Sequence, residues 1–229
     1  MSNATKTAVV VGHGMVGHRF VEALRSRDDA GDWQVTILCE ERLPAYDRVG
    51  LSSYVGTWDH KELALAGNDY DGDALVDLRV GEGAASIDRD AKTVTTTAGA
   101  VVSYDALVMA TGSYAFVPPV PGHDLPECFV YRTIDDLDGI RAAAAAAGAG
   151  AVGVVIGGGL LGLEAAALPR VGVQEVDQAG GRGDADHHDI GLRGCGHRLD
   201  RGDVRGVVVE DAAGVGALEG LRHRRGPAT

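Results

Sequence analysis

Two glycine-rich turns constrain this chain more than any other feature. The first is Gly12-His13-Gly14-Met15-Val16-Gly17, and the second is Gly157-Gly158-Gly159-Leu160-Leu161-Gly162. Each follows a short run rich in β-branched residues, TAVVV at 7–11 and VGVVI at 152–156, which reads as a buried parallel strand. Each also opens a stretch with helical periodicity. In 15–25 the apolar positions Val16, Phe20, Val21 and Leu24 recur at helical spacing, and 160–168 reads as a second helix. Residues 34–39 (QVTILC) form another buried strand, so the first 40 residues spell a βαβ unit with a right-handed crossover. The fold class expected is α/β, with two Rossmann-like dinucleotide-binding units, the second incomplete.

The spacing G-x-G-x-x-G has a physical reading. The first glycine permits the tight turn, the second lets backbone approach a pyrophosphate, and the third lets helix and strand pack closely. The pyrophosphate would rest on the unpaired N–H groups of the helix N-terminus. Gly12, Gly14, Met15 and Gly17 are therefore candidate cofactor-binding residues, as are Gly157, Gly159 and Gly162. Glu40 lies 23 residues past Gly17, where an acid can hydrogen-bond a ribose hydroxyl. Glu41 is the alternative, because one residue of register is not fixed by the sequence. An ordinary glycine turn of an α/β domain is the competing explanation for the first cluster. Two such motifs imply two dinucleotides.

Between the motifs the chain is punctuated. Residues 41–60 read as a loop containing Pro44, and 75–104 read as a small meander of short strands. Residues 105–110 (DALVMA) form a buried strand that ends in Thr111-Gly112. Pro118, Pro119, Pro121 and Gly122 mark a boundary. Thr133 is an N-cap candidate, with Asp135 and Asp136 in the first turn and an alanine run at 142–147 beyond. Composition excludes several classes. The net charge of −12 argues against a nucleic-acid surface, and no apolar run is long enough to span a bilayer. Three scattered cysteines suit neither a disulfide framework nor a zinc site, and no signal peptide is read, so a cytoplasmic location is expected.

Tyr104–Gly112 (YDALVMATG) resembles the second fingerprint of flavoproteins that bind two dinucleotides. More particular text accompanies it: VVVGHGMVGHRFVEAL, EERLPAYDRVGLSSY, YDALVMATGSYAFVPPVPG, CFVYRTIDDLDGIR and VVIGGGLLGLEAA. On these segments, over roughly residues 7–168, the chain is similar to the N-terminal part of the large subunit of NAD(P)H-dependent assimilatory nitrite reductases. The resemblance implies FAD on the first unit and NAD(P)H on the second, with a hydride passing between them. It places the loop of Tyr46-Asp47-Arg48 and Leu51-Ser52 against the flavin, so Arg48 and Ser52 become FAD contacts, with Thr111 and Gly112 beside it. A surface ion pair with Asp47 or Glu41 is the alternative for Arg48. Glu164, just past the second glycine cluster, is implied to lie near the nicotinamide–flavin contact as a catalytic carboxylate; a solvated or capping acid is its alternative. The CxxxxC redox pair of many related reductases is absent from the sequence. Electrons would then pass to a downstream iron–sulfur or siroheme acceptor, whose ligand clusters this sequence does not contain. A ferredoxin- or rubredoxin-type reductase and a non-catalytic FAD-binding remnant are the alternative functions.

The pattern breaks after Ala167. Pro169 interrupts the helix, and no Phe, Tyr or Trp follows Tyr131. Of the 61 residues from Pro169 onward, 13 are Gly and only 13 are Val, Leu or Ile, near the level at which burial no longer offsets ordering entropy. The expected organisation is 1–117 as the FAD-binding part, 118–168 as the start of the NAD(P)-binding part, and 169–229 as an atypical tail. That tail reads as a disordered or out-of-frame tract. A real but divergent terminus, with VRGVVVEDA as a strand, competes with this. His187, His188 and His197 with Asp184, Asp186 and Asp189 lack metal-ligand spacing and read as solvated. The resemblance also implies a flavin domain completed by a returning segment, so weak FAD retention is expected.

Overall fold

The computed structural model describes residues 5–117, 119, 123–147, 152–156, 160–166, 176–178 and 204–209. The chain divides into two units, Met1–Gly50 with Asp59–Ser113, and Leu51–Trp58 with Tyr114–Thr229.

The first unit contains β1 (Lys6–Val11), α1 (Met15–Arg25), β2 (Trp33–Cys39) and β3 (Val76–Val80). It continues through β4 (Ala84–Asp88), β5 (Thr93–Thr96), β6 (Val101–Ser103) and β7 (Ala106–Met109). Its main sheet is parallel, in the order β3-β2-β1-β7. β1 is central, and its two faces serve different layers. Ala8 and Val10 pack with Val35, Ile37 and Val21, the last on α1. Val9 and Val11 pack with Leu38 and with Val94 of the antiparallel sheet β4-β5-β6. Val9, Val10, Val21, Val35, Ile37 and Val94 are all 0% exposed. Burying each such side chain contributes at most about 1.5–3 kcal/mol. Register sets the functional edge: Val11 stands beside Leu38 on one side and Met109 on the other. The chain therefore leaves β1, β2 and β7 at the same carboxyl edge, at Gly12, Glu40 and Ala110.

The second unit contains α2 (Leu51–Thr57), β8 (Cys128–Val130), α3 (Ile134–Ala147), β9 (Val152–Ile156), α4 (Leu160–Ala166), β10 (Val176–Gln178) and β11 (Val204–Val209). Its sheet is parallel in the order β10-β9-β11-β8. α3 begins with a reciprocal cap. The Asp136 N–H donates to Thr133 Oγ1 at 3.1 Å, and the Thr133 N–H donates to Asp136 Oδ2 at 2.8 Å. α2 is held by side chains of α3. The Tyr54 hydroxyl donates to Asp138 Oδ1 at 2.6 Å, and the Arg141 guanidinium lies 4.5 Å from the Trp58 ring centroid.

Three features differ from the reading of the sequence. Residues 41–60 contain a 3₁₀ turn at Arg48–Gly50 and α2, rather than loop alone. Seven residues are too few for a helix to stand on propensity, so burial of Leu51, Tyr54 and Val55 stabilises it. β3 pairs in parallel with β2 instead of joining the meander, because Val76 and Leu78 pack against the Ala8–Val10–Val35–Ile37 cluster. The tail contributes β10 and β11, so VRGVVV is a strand, and β11 lies between β9 and β8. The histidine–aspartate cluster of the tail lies outside the described residues.

Candidate functional site

The first glycine turn is built for close backbone approach. Gly12 has φ +101, and a Cβ there would lie 2.2 Å from the Ala110 carbonyl oxygen at the end of β7. A Cβ on Gly17 would lie 2.1 Å from the Gly12 oxygen. These two glycines let β1, α1 and the end of β7 meet. Gly14 differs: a Cβ there would meet nothing within 4 Å. Gly14 is the N-cap of α1, makes no side-chain cap bond, and is followed by no acidic residue in the first turn. The helix therefore begins with open space above N–H groups and no competing negative charge. This cradle fits a dinucleotide pyrophosphate. Met15, in the first turn, is 38% exposed.

Beside the turn stand the other residues singled out from the sequence. Glu40 follows the last residue of β2 and is exposed, as are Thr111 and Gly112 after β7. Gly112 has φ +67, which suits glycine at this turn. Glu41 is engaged within the protein, accepting from the Tyr46 hydroxyl at 2.6 Å and from Arg48 Nη2. Arg48 also lies 5.1 Å from the Tyr46 ring centroid. Of the two acids weighed for the ribose, Glu40 is thus the solvent-facing one, and Arg48 adopts the ion pair with Glu41.

Ser52 and Glu164, 112 residues apart in sequence, meet in the second unit. The Ser52 hydroxyl donates to Glu164 Oε2 at 2.7 Å. Having spent its proton there, Ser52 Oγ accepts from the Tyr131 hydroxyl at 3.4 Å. Burial pushes the Tyr131 phenol up, which keeps it a donor. Gly162, on the same helix as Glu164, is buried. Gly157 and Gly159 lie outside the described residues. Tyr131 lies in the CFVYRTIDDLDGIR segment, but nothing local in that segment points to a contact with Ser52.

Two buried histidines and the half-buried Tyr70 underlie the first turn. His13 lies 6.0 Å from His18 and 5.6 Å from Tyr70 between ring centroids, and His18 Nδ1 lies 2.9 Å from the Tyr70 hydroxyl. The sequence reading did not single out His13, because the glycine pattern leaves that position open.

Cys39 is not poised for redox exchange. Cys39 is 2% exposed, and its Sγ lies 3.4 Å from each of the Glu41 and Leu43 carbonyl oxygens, either of which can accept its one proton. Burial, with the Glu41 charge, pushes its pKa to about 11. Iodoacetamide at pH 8 is expected to leave Cys39 unmodified in the native protein and to label it after unfolding. Rapid native labelling, read by mass spectrometry, would contradict this. Among the described residues, no group of three or more His, Cys, Asp or Glu could hold a metal ion, and no helix is long and apolar enough to cross a membrane.

The chain is similar to proteins of known family. The chain is 53% identical over 167 residues to the nitrite reductase [NAD(P)H] large subunit of Klebsiella oxytoca, covering 72% of this chain and 17% of the relative. It is 47% identical over 166 residues to the nitrite reductase (NADH) large subunit of Escherichia coli K12, covering 72% and 19%. The chain thus spans less than a fifth of these relatives. A ferredoxin reductase of known structure from Rhodopseudomonas palustris superposes with a TM-score of 0.65 at 28% identity, over 76% of this chain and 42% of that one. The sequence profile of the pyridine nucleotide-disulphide oxidoreductases matches residues 6–177. With three quarters of its length matched, the chain belongs to the pyridine nucleotide-disulphide oxidoreductase family.

Proposed function

We propose that this chain is an FAD-dependent NAD(P)H oxidoreductase module of the type that begins nitrite reductase large subunits, acting as the entry point for electrons. The observation that carries this is the start of α1, where a Cβ on Gly14 would meet no atom within 4 Å, framed by Gly12 and Gly17, whose Cβ positions are filled by backbone. Gly12, Gly14, Met15 and Gly17 would hold the FAD pyrophosphate, and Glu40 its ribose. Thr111 and Gly112 stand at the same edge. Arg48 would turn from Glu41 toward a phosphate or ring oxygen. Gly157, Gly159 and Gly162 would serve NAD(P)H. When bound, the two cofactors supply hydride transfer from nicotinamide to flavin.

The chain's own residues bind and orient. Ser52, itself engaged by Tyr131, fixes the Glu164 carboxylate through a charge-assisted hydrogen bond. Glu164 is the proposed catalytic residue beside the nicotinamide. The proposed partner is an iron–sulfur or siroheme electron acceptor, and the proposed location is the cytoplasm.

The test is one purified sample. FAD is titrated by quenching of its fluorescence, and NADH or NADPH is then supplied with ferricyanide as acceptor. The expected result is FAD binding followed by ferricyanide reduction. FAD binding without turnover would leave a non-catalytic remnant, and no FAD binding would reject the flavin reading.

A further inference from the structure

The variable position of the first glycine turn holds a side chain that no glycine pattern demands. His13 is 6% exposed. Its Nδ1 lies 3.2 Å from the backbone nitrogen of Ala45. An amide N–H only donates, so Nδ1 carries a lone pair, and the neutral ring keeps its proton on Nε2. That Nε2 is buried without a hydrogen-bond partner. The compensation lies at the other end of the bond. Ala45 is 1% exposed, and a buried N–H needs an acceptor. Pro44 before it offers no N–H of its own.

The tie is part of a short chain of contacts. The Ala45 carbonyl accepts from Asn68 Nδ2 at 2.5 Å. One residue on, the Tyr46 hydroxyl reaches Glu41, which also holds Arg48. The Asp47 N–H donates to the Leu63 carbonyl at 2.8 Å. His13 is the link between these contacts and the glycine turn.

We infer that His13 is a positioning residue: through Nδ1 it holds the 41–48 loop, with Glu41, Tyr46 and Arg48, against the glycine turn before a dinucleotide binds. The inference rests on the reading of that loop as a flavin contact. It predicts that an acceptor at position 13, and not an imidazole as such, is what matters.

His13→Asn and His13→Leu, made in the full chain, test this. Asparagine Oδ1 branches from the same carbon as Nδ1 and can accept from Ala45; leucine cannot. Amide exchange at Ala45, read by NMR at pH 7, is expected to quicken at least about tenfold in His13→Leu and to stay within about threefold of the parent in His13→Asn. FAD affinity is expected to fall about tenfold in His13→Leu and to be largely kept in His13→Asn. Arg48→Ala is expected to cost less affinity in the His13→Leu background than in the parent, since the loop is already released. If His13→Leu does not fold, His13→Gln replaces it, because its acceptor sits one bond farther out. Unchanged Ala45 exchange overturns the tie. Faster exchange with unchanged FAD affinity overturns the positioning role. A parent protein that binds no FAD overturns the flavin reading and the role with it, and is distinguishable because the exchange measurement needs no flavin.

Discussion

Gly12→Ala is expected to destabilise the fold by about 3 kcal/mol or more, whereas Gly14→Ala keeps stability within about 0.5 kcal/mol and instead weakens FAD binding. The two residues belong to one motif, yet the geometry separates their roles. At Gly12 the backbone is left-handed, with φ +101, and the added methyl would sit 2.2 Å from the Ala110 oxygen and 2.7 Å from the Ala110 carbonyl carbon. Both are backbone atoms, so β7 itself must shift. At Gly14 φ is −88 and the methyl enters open space. If a pyrophosphate uses that space, the methyl displaces it from the N–H groups of α1. Urea denaturation reads the first effect and FAD titration the second. Full FAD affinity in Gly14→Ala would show that the space over α1 is not the pyrophosphate's.

Between pH 6.5 and about 4 the protein is expected to lose up to about 3 kcal/mol of stability that His13→Asn does not lose. Burial first, and the nearby His18 second, lower the His13 pKa from 6.5 to about 4. The unfolded chain therefore takes up a proton near pH 6.5 that the native protein refuses. Stability is fully present above that value and is lost as pH falls toward 4. The groups facing His13 are His18 of α1 and Tyr70, with Glu22 of α1 acting on both. Carboxylates act in a lower window. Asp73 is held below its ordinary value by the hydrogen bond from Arg25, and Asp105 by that from the Thr7 N–H. Their contributions are lost only as pH falls below about 3.8. Stability is read by urea midpoints at half-unit pH steps. Parallel curves for the parent and His13→Asn down to pH 4 would show that the native protein accepts the proton on His13.

The parts of the site visible in the sequence share one property: their partners are close in the chain or follow a fixed spacing. Residues 7–11, 34–39, 105–110 and 152–156 read as strands because their β-branched apolar runs end at glycine or charge, and the strands form there. The helix at 15–25 and the cap at Thr133 are likewise local. The parts that were not visible depend on pairing across long stretches of chain. β3 carries an alternating pattern that suits a meander or a parallel edge equally, and burial of Leu78 against Val10 decided between them. Within the tail, the VRGVVV run at 204–209 pairs with β9 and β8. Short β-branched segments need a partner strand more than they need rich surroundings.

By itself the sequence determined that this is an α/β protein with two strand–glycine–helix units, and which three glycines carry the first turn, because steric demands at G-x-G-x-x-G are backbone demands and repeat at fixed spacing. Only the tertiary structure engaged Glu41 with Tyr46 and Arg48 and set Glu40 at an exposed position. It also brought His13 to Ala45 across 32 residues and Ser52 to Glu164 across 112. Hydrogen bonds of that span are chosen by which buried or charged groups the sheets leave facing one another, and no local pattern encodes that choice.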